Sequence, residues 1–239
     1  MTIVFRASGI GHPCPRKLWY EAVRGLEEPY EPQTLFTFDI GTALESVAIK
    51  YLRHEGWEVL YNEGSQEAEI ETVIPVAPGV EIRGHHDMVL RFNDGPWIMG
   101  DVKTMNSFAY KDWKKHGTMA KYPQYFDQTT IYTAGEYARS LRIETMGIWA
   151  LNKDKVEYPL PYDTAPFSQD KLEDLKLKAF SIAMSEVPPV PDDAMPTWCC
   201  SYCGFKRDGT CEHTFEGRER HEQEHGRCCG LSEETWGHG

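Results

Sequence analysis

Two apolar-alternating runs, Glu81-Ile-Arg-Gly-His-His-Asp87-Met-Val-Leu-Arg-Phe92 and Trp97-Ile-Met-Gly-Asp101-Val-Lys103-Thr104, decide how the chain is read. Between them Asn93-Asp94-Gly95-Pro96 is a strong turn signal, so the runs are expected as adjacent antiparallel strands of one hairpin. Side chains alternate along a strand, which puts Asp101 and Lys103 on one face and Val102 on the other. In the first strand Arg83, His85, Asp87 and Val89 share a face. A three-residue loop with Gly95 left-handed sets Phe92 opposite Pro96 and Asp87 opposite Asp101. A two-residue loop sets Asp87 opposite Val102 instead.

Two carboxylates facing each other across a hairpin repel, and burying them uncompensated is costly. A divalent cation relieves that repulsion. Oxygen ligands suit Mg²⁺ or Mn²⁺, and a lysine two residues along can hold an attacking water or a phosphate oxygen. The plainer alternative is a solvated strand face, where Asp-x-Lys is common.

Outward from the hairpin, residues 57–63 and 66–75 alternate as strands joined by Glu63-Gly64-Ser65, making a four-stranded antiparallel run with 81–92 and 97–104. Upstream, residues 39–55 have the helical period: Ile40, Leu44, Val47, Ala48, Tyr51 and Leu52 form the stripe, with Asp39 as N-cap. Glu45 borders that stripe between the small Gly41 and Ala48, placed either to reach inward to a metal or to face water. Downstream the composition changes. Lys103, Lys111, Lys114, Lys115 and Lys121 are opposed within the stretch only by Asp112, with Phe108, Tyr110, Trp113 and Tyr122 interleaved. The pattern fits a strip that tracks phosphates and stacks bases, or a solvated loop with packed aromatics.

Pro123 is tolerated only in a first turn, so a second helix is expected from about 122 to 141. Gln124, Gln128 and Tyr132 line one of its faces. Strands are expected at 145–151 and 155–160, around Asn152-Lys-Asp154. A third helix spans 168–186 from Ser168, with Leu172, Leu175, Ala179, Ile182 and Ala183 inward. After Pro188-Pro189-Val-Pro191 come Cys199, Cys200, Cys203, Cys211 and His213. Residues 214–239, with His221, His225, Cys228 and Cys229, lack a periodic apolar face and are expected to be a dispensable, mostly disordered tail.

At 239 residues the chain can bury a sizeable core, and 41% apolar content with 12% aromatic marks it as globular. A net charge of −12 argues against a general nucleic-acid coat, yet a metal and a local basic strip would still serve an enzyme acting on DNA. The sequence shows neither an apolar leader-like stretch nor a run of about 18 apolar residues, so a soluble cytosolic protein is expected, neither secreted nor membrane-spanning. Seven cysteines, two pairs of them adjacent, suit metal ligation better than disulfides. One of the seven, Cys14, sits between prolines just ahead of an aromatic helix start.

In this order the pieces resemble the PD-(D/E)xK nuclease superfamily, most of all its RecB-like exonucleases with an iron–sulfur cluster, CRISPR-associated and phage members included. The likeness covers residues 10–213. Gly41-Thr-Ala-Leu-Glu45 resembles the helix bearing a metal-binding His or Glu, Gly84-His-His-Asp87 the G-x-x-D strand, and Asp101-Val-Lys103 the D/E-x-K strand. Gln128-Thr-Thr-Ile-Tyr132 resembles the Q-x-x-x-Y helix, and Cys14 with Cys200, Cys203 and Cys211 the split four-cysteine site. Gly100 stands where the family's name has proline, and Glu45 where many relatives have histidine. The Cys203–Cys211 gap is longer than usual, and Cys199 competes with Cys200 for a ligand position.

The resemblance implies an α/β (α+β) restriction-endonuclease-like core, a central mixed sheet flanked by helices. Its N- and C-terminal segments, 10–25 and 196–213, would join at a metal cluster within one domain over 1–213. It implies Mg²⁺ or Mn²⁺ held by Glu45, Asp87, Asp101 and the Val102 carbonyl, with Lys103 orienting the nucleophile and Gln128 and Tyr132 gripping the DNA backbone. His85 and His86 flank the site, with a structural role favoured over general-base chemistry. Cys14, Cys200, Cys203 and Cys211 would hold a [4Fe–4S] cluster, with structural zinc as the alternative. The implied activity is phosphodiester hydrolysis in DNA by an exonuclease on single strands or duplex ends. The setting would be bacterial, archaeal or phage recombination, repair or CRISPR-like processing, with protein partners from such a complex. A restriction- or repair-type endonuclease is the alternative; a non-catalytic DNA-binding module with zinc is a further one.

Overall fold

A computed structural model describes residues 2–61, 71–86, 88–192, 195, 196 and 198–212. From the N-terminus, β1 (Ile3–Arg6) and the short α1 (Ala7–Ile10) lead into α2 (Pro15–Ala22) and the long α3 (Pro32–His54). Strands β2 (Trp57–Tyr61), β3 (Glu71–Ala77), β4 (Val80–His85), β5 (Met88–Phe92) and β6 (Ile98–Met105) follow. A helical crossover through α4 (Ser107–His116), α5 (Thr118–Lys121), α6 (Pro123–Thr133) and α7 (Glu136–Ser140) carries the chain to β7 (Thr145–Asn152). Then come β8 (Tyr162–Pro166), α8 (Gln169–Ala183) and two short helices, α9 (Trp198–Ser201) and α10 (Gly204–Arg207).

The expected hairpin forms as β5 and β6. Its turn is left-handed at Asn93 (φ 47°) and Asp94 (φ 54°), not at Gly95, and closes when the Gly95 N–H donates to the Phe92 carbonyl at 3.0 Å. Two successive residues of positive φ make the mirror-image turn whose twist suits a hairpin. A two-residue turn alone would pair Leu90 with Trp97, yet the ladder pairs Leu90 with Ile98 and Met88 with Gly100. One extra residue is therefore absorbed after the turn, and the ladder takes the register expected of a three-residue loop. Asp87, on which that register was to be judged, lies outside the described residues.

The first run does not stay in one strand. It divides at His86, and its halves join different sheets: β4 sits between β1 and β3, while β5 sits between β2 and β6. Arg83 and His85 therefore do not share a sheet face with Val89. Likewise β2 and β3 are not a hairpin, because β2 pairs with β5 and β3 with β4. The link expected at Glu63-Gly64-Ser65 lies outside the described residues. The larger sheet runs β2-β5-β6-β7-β8, antiparallel except for the central β6–β7 pair, which is parallel. Such a pair needs a long crossover, and α4 to α7 supply it. The result is a mixed sheet flanked by helices.

Helix α3 covers one face of this sheet: Ala48, Ile49 and Leu52 pack with Met88, Leu90, Val102 and Trp149. It begins at Pro32 rather than at Asp39, with Glu31 as a cap that makes no side-chain bond. A first-turn proline already has the helical φ, so the start needs no capping carboxylate. The other face carries the larger core, with Val89, Met99 and Ile131 against Phe5, Ile10, Ile82 and Leu175. The single helix expected over 122–141 is broken at Ala134-Gly135. A Cβ on Gly135 would lie 2.9 Å from Thr72 Cγ2, so the chain passes β3 too closely for a larger residue. The strand expected at 155–160 is irregular, and β8 takes its place further on, after Pro159 and Pro161, which lack the N–H a ladder needs. Helix α8 forms as expected, its Ser168 hydroxyl accepting from the Lys171 N–H at 3.2 Å and all five expected side chains buried.

The two ends of the described chain are tied together. Trp19 Nε1 donates to the Ser185 carbonyl at 2.9 Å, Tyr20 Oη to the Thr210 carbonyl at 3.2 Å, and the Gly204 N–H to Glu28 Oε1 at 2.8 Å. From α8, Lys178 Nζ holds the carbonyls of Ile10 (2.9 Å) and His12 (2.8 Å). Among the described residues no helix is long and apolar enough to cross a membrane.

Candidate active site

Strand β6 is the middle strand of the larger sheet, and its alternation sorts the chemistry as the sequence implies. Val102 turns into the core beneath α3, while Asp101 and Lys103 face α6. Asp101 is 0% exposed. Lys103 Nζ donates to Asp101 Oδ1 at 3.1 Å and to Gln128 Oε1 at 2.9 Å. Gln128 Nε2 in turn donates to the Tyr132 hydroxyl at 2.9 Å. The buried polar chain Asp101–Lys103–Gln128–Tyr132 thus joins the central strand to α6. Lys103 also lies 5.1 Å from the centre of the Tyr125 ring, a cation–π contact that the sequence did not single out. Its only trace there is the position of Tyr125 one turn before Gln128.

Asp101 Oδ2 lies 2.9 Å from Lys103 Nζ, yet the geometry directs no hydrogen bond at it, and it is buried. Apart from that ammonium no donor among the described residues reaches this buried oxygen, and a hard cation is a further partner it suits. Among the described residues no three of the His, Cys, Asp and Glu side chains already stand in a metal-ligating group. Asp87, one of the expected ligands, is outside those residues. Glu45 is half-buried on α3, the helix that covers the Val102 face of β6, and Gly41 one turn earlier abuts Thr104 (a Cβ there would lie 3.4 Å from Oγ1).

Gly84 shows why the strand preceding the site needs a glycine. A Cβ there would stand 2.6 Å from Ala7 Cβ and 2.9 Å from Tyr132 Cε1, so the phenol of the polar chain rests directly on the β4 backbone. Gly84→Ala is expected to destabilise the protein by about 1–3 kcal/mol through overpacking. Thermal melting checks this, and an unchanged midpoint would show that the ring has room to move. His86 stacks on Tyr137 at 5.3 Å, and burial pushes its pKa down to about 4. Burial therefore favours its neutral imidazole.

The lysine-rich stretch is a helix, α4, followed by α5, and not a loop. Tyr110 and Trp113 are buried in a core with Met105 and Ala150, which removes them as base-stacking groups. Lys114 pairs with Glu157 at 2.6 Å and Lys121 with Asp112 at 3.0 Å. Glu157 is remote in sequence, so its share of the neutralisation could not be read there.

Cys14, Cys199, Cys200, Cys203 and Cys211 line one cavity together with Tyr20 and Phe205. Cys14 caps α2 and Cys203 caps α10, so both present their sulfur beside a helix N-terminus. Burial raises the Cys14 and Cys203 thiols and pushes Cys199 up to about 12. His213 lies outside the described residues, as do residues 214–239 with Cys228, Cys229, His221 and His225.

Comparison with known proteins adds independent findings. A search of curated proteins returned no match. The crystal structure of SSO0001 is similar over 89% of this chain and 87% of its own, with 17% identity and a TM-score of 0.56. An alkaline exonuclease (LHK-Exo) from Laribacter hongkongensis is similar over 74% of this chain and 84% of its own, with 14% identity and a TM-score of 0.51. Its complex with dAMP gives a TM-score of 0.50 at 14% identity over 74% of this chain and 85% of that one. At such identities the likeness speaks for the fold. The family model of the PD-(D/E)XK nuclease superfamily matches residues 17–208, from α2 through α10, and this chain belongs to that superfamily.

Proposed function

We propose that the protein is a Mg²⁺- or Mn²⁺-dependent deoxyribonuclease that removes nucleotides from the ends of DNA. The observation that carries this reading is the buried chain from Asp101 through Lys103 and Gln128 to Tyr132 on the central strand. A fully buried carboxylate with an undirected oxygen, a lysine beside it and a structural likeness to an exonuclease all support it.

Glu45, Asp87, Asp101 and the Val102 carbonyl would hold the cation, an all-oxygen set suited to a hard ion. When bound, it lowers the pKa of a water and offsets charge on the phosphate. Lys103 then turns its ammonium to the nucleophile and a non-bridging phosphate oxygen, kept in place by Asp101 and Gln128. Gln128 and Tyr132, both buried, fix the lysine's direction from α6. Because these groups are held by each other before substrate arrives, little reorganisation is left for the reaction itself.

The cysteine cavity has a separate role. Cys14, Cys200, Cys203 and Cys211 would hold a [4Fe–4S] cluster that clamps the segment after the proline-rich break onto α2. The gathering of sulfurs from both ends of the chain around one cavity supports this. Zinc is the other metal that four thiolates accept.

Digestion of linear against covalently closed circular single-stranded DNA tests the end requirement. Loss of the linear strand alone is expected. Equal loss of both makes the protein an endonuclease, and loss of neither in Mg²⁺ or Mn²⁺ removes the nuclease reading.

A further inference from the structure

Helix α4 starts directly after β6, with only Thr104–Ser107 between Lys103 and Phe108. Its inner face is spent on Tyr110 and Trp113, at 2% and 3% exposure. Its outer face is a different composition. Phe108, Lys111 and Lys115 recur at helical spacing on the side away from those two rings, and all three are exposed, Phe108 at 84%. Of the five lysines from 103 to 121, Lys103 is held by Asp101, Lys114 by Glu157 and Lys121 by Asp112. Lys111 and Lys115 have no ion-pair partner among the described residues. A helix dipole accounts for a lysine in the last turn, where Lys115 sits, but for neither Lys111 nor an exposed phenylalanine.

We propose that this outer face of α4 is where one unpaired DNA strand lies next to the Asp101 site, its phosphates on Lys111 and Lys115 and a base stacked on Phe108. The proposal rests on the deoxyribonuclease reading and names its DNA path. Charge complementarity selects the occupant. In a chain of net charge −12 these are two uncommitted cations side by side, about 6 Å apart along the helix axis. A neighbouring aromatic with its ring open to solvent is what an unpaired base needs and what a base inside a duplex cannot use. The residues sit on the strand-to-helix continuation of β6, which carries Asp101 and Lys103.

The test measures binding of a labelled oligothymidylate by fluorescence anisotropy across a salt series, with Ca²⁺ replacing Mg²⁺ to prevent cleavage. Lys111→Gln with Lys115→Gln should make the log-affinity against log-salt slope shallower by about 1.4, the share of two phosphate contacts on a single strand. Phe108→Ala should weaken single-strand binding by about tenfold while leaving that slope in place. Its effect on a blunt duplex should be small. An unchanged slope and affinity in the lysine pair would overturn the assignment. An equal loss on single strand and duplex in Phe108→Ala would make the face a duplex-binding one and overturn the stacking claim. Hydrolysis of thymidine 5′-p-nitrophenyl phosphate by the unmodified protein, lost in Asp101→Asn, reports the chemical step separately. Failure there removes the nuclease reading, whereas failure in the salt series removes only the DNA path.

Discussion

Lys103→Ala is expected to lose about a hundred- to a thousandfold in DNA cleavage, the scale seen when a charge-stabilising donor leaves a reaction centre. It is also expected to melt earlier in metal-free buffer. Lys103 is the counter-charge to a carboxylate that is 0% exposed, so its removal strands Asp101 without the ammonium. Breaking a buried pair from one side costs on the order of 3 kcal/mol. In a chain of this size that lowers the melting temperature by about 6–12 °C. The sequence alone suggests a lysine that acts only on the reacting phosphate, with folding nearly untouched; the buried ion pair changes that expectation. Asp101→Asn should abolish cleavage equally and weaken Mg²⁺ or Mn²⁺ binding, yet it removes the charge that needed balancing. The double variant Lys103→Ala with Asp101→Asn should therefore be more stable than Lys103→Ala alone. Melting curves of the four proteins and their cleavage rates check the cycle. A near-parental rate in either single variant would remove both residues from the reaction.

On the iron–sulfur assignment proposed above, protein purified without oxygen is expected to be brown, with about four irons per chain. Cys14→Ala should then lose colour, iron and much of the thermal stability together, because the proposed cluster would bind both ends of the described chain. Cys199 and Cys200 are adjacent, and Cys200 is the half-buried one of the two. On the proposed assignment Cys200→Ala should lose the iron and Cys199→Ala should keep it. Iron content and visible absorbance of the three variants decide this. Colourless protein with one zinc, or a Cys14→Ala variant with its full metal content, would overturn the iron–sulfur assignment.

What the sequence made legible was faces, and what it hid was partners. A two-residue period put Asp101 and Lys103 on one side of β6 and Val102 on the other, and a four-residue period put Gln128 above Tyr132 on α6. Both relations are local, and both hold. The pairing of β4 with β1 and of β6 with β7 is set by elements far apart in the chain, and alternation along a strand carries no record of its neighbour. The run 81–92 therefore looked continuous although its halves serve two sheets. The lysine strip looked more basic than it is for the same reason, since Glu157 reaches Lys114 from beyond β7. Tyr125 and the buried Asp101–Lys103 pairing became visible only once α6 was laid across the sheet.

The ties between the two ends of the described chain bear on how the protein is made. Tyr20 waits for Thr210, its hydrogen-bond partner 190 residues later. At ribosomal speed that is a delay of roughly 10–40 s. Through that interval Leu18, Trp19 and Tyr20, all buried in the finished molecule, have no α8 or α10 to pack against. The central sheet is complete once β8 has emerged, well before the last cysteine, so the cutting face can exist on a nascent chain whose ends are still unclamped. Contacts of such long sequence separation form slowly and leave apolar side chains open to association. Expression supplied with a chaperone that shields the N-terminal helix should raise the soluble yield more than any change to the catalytic strand.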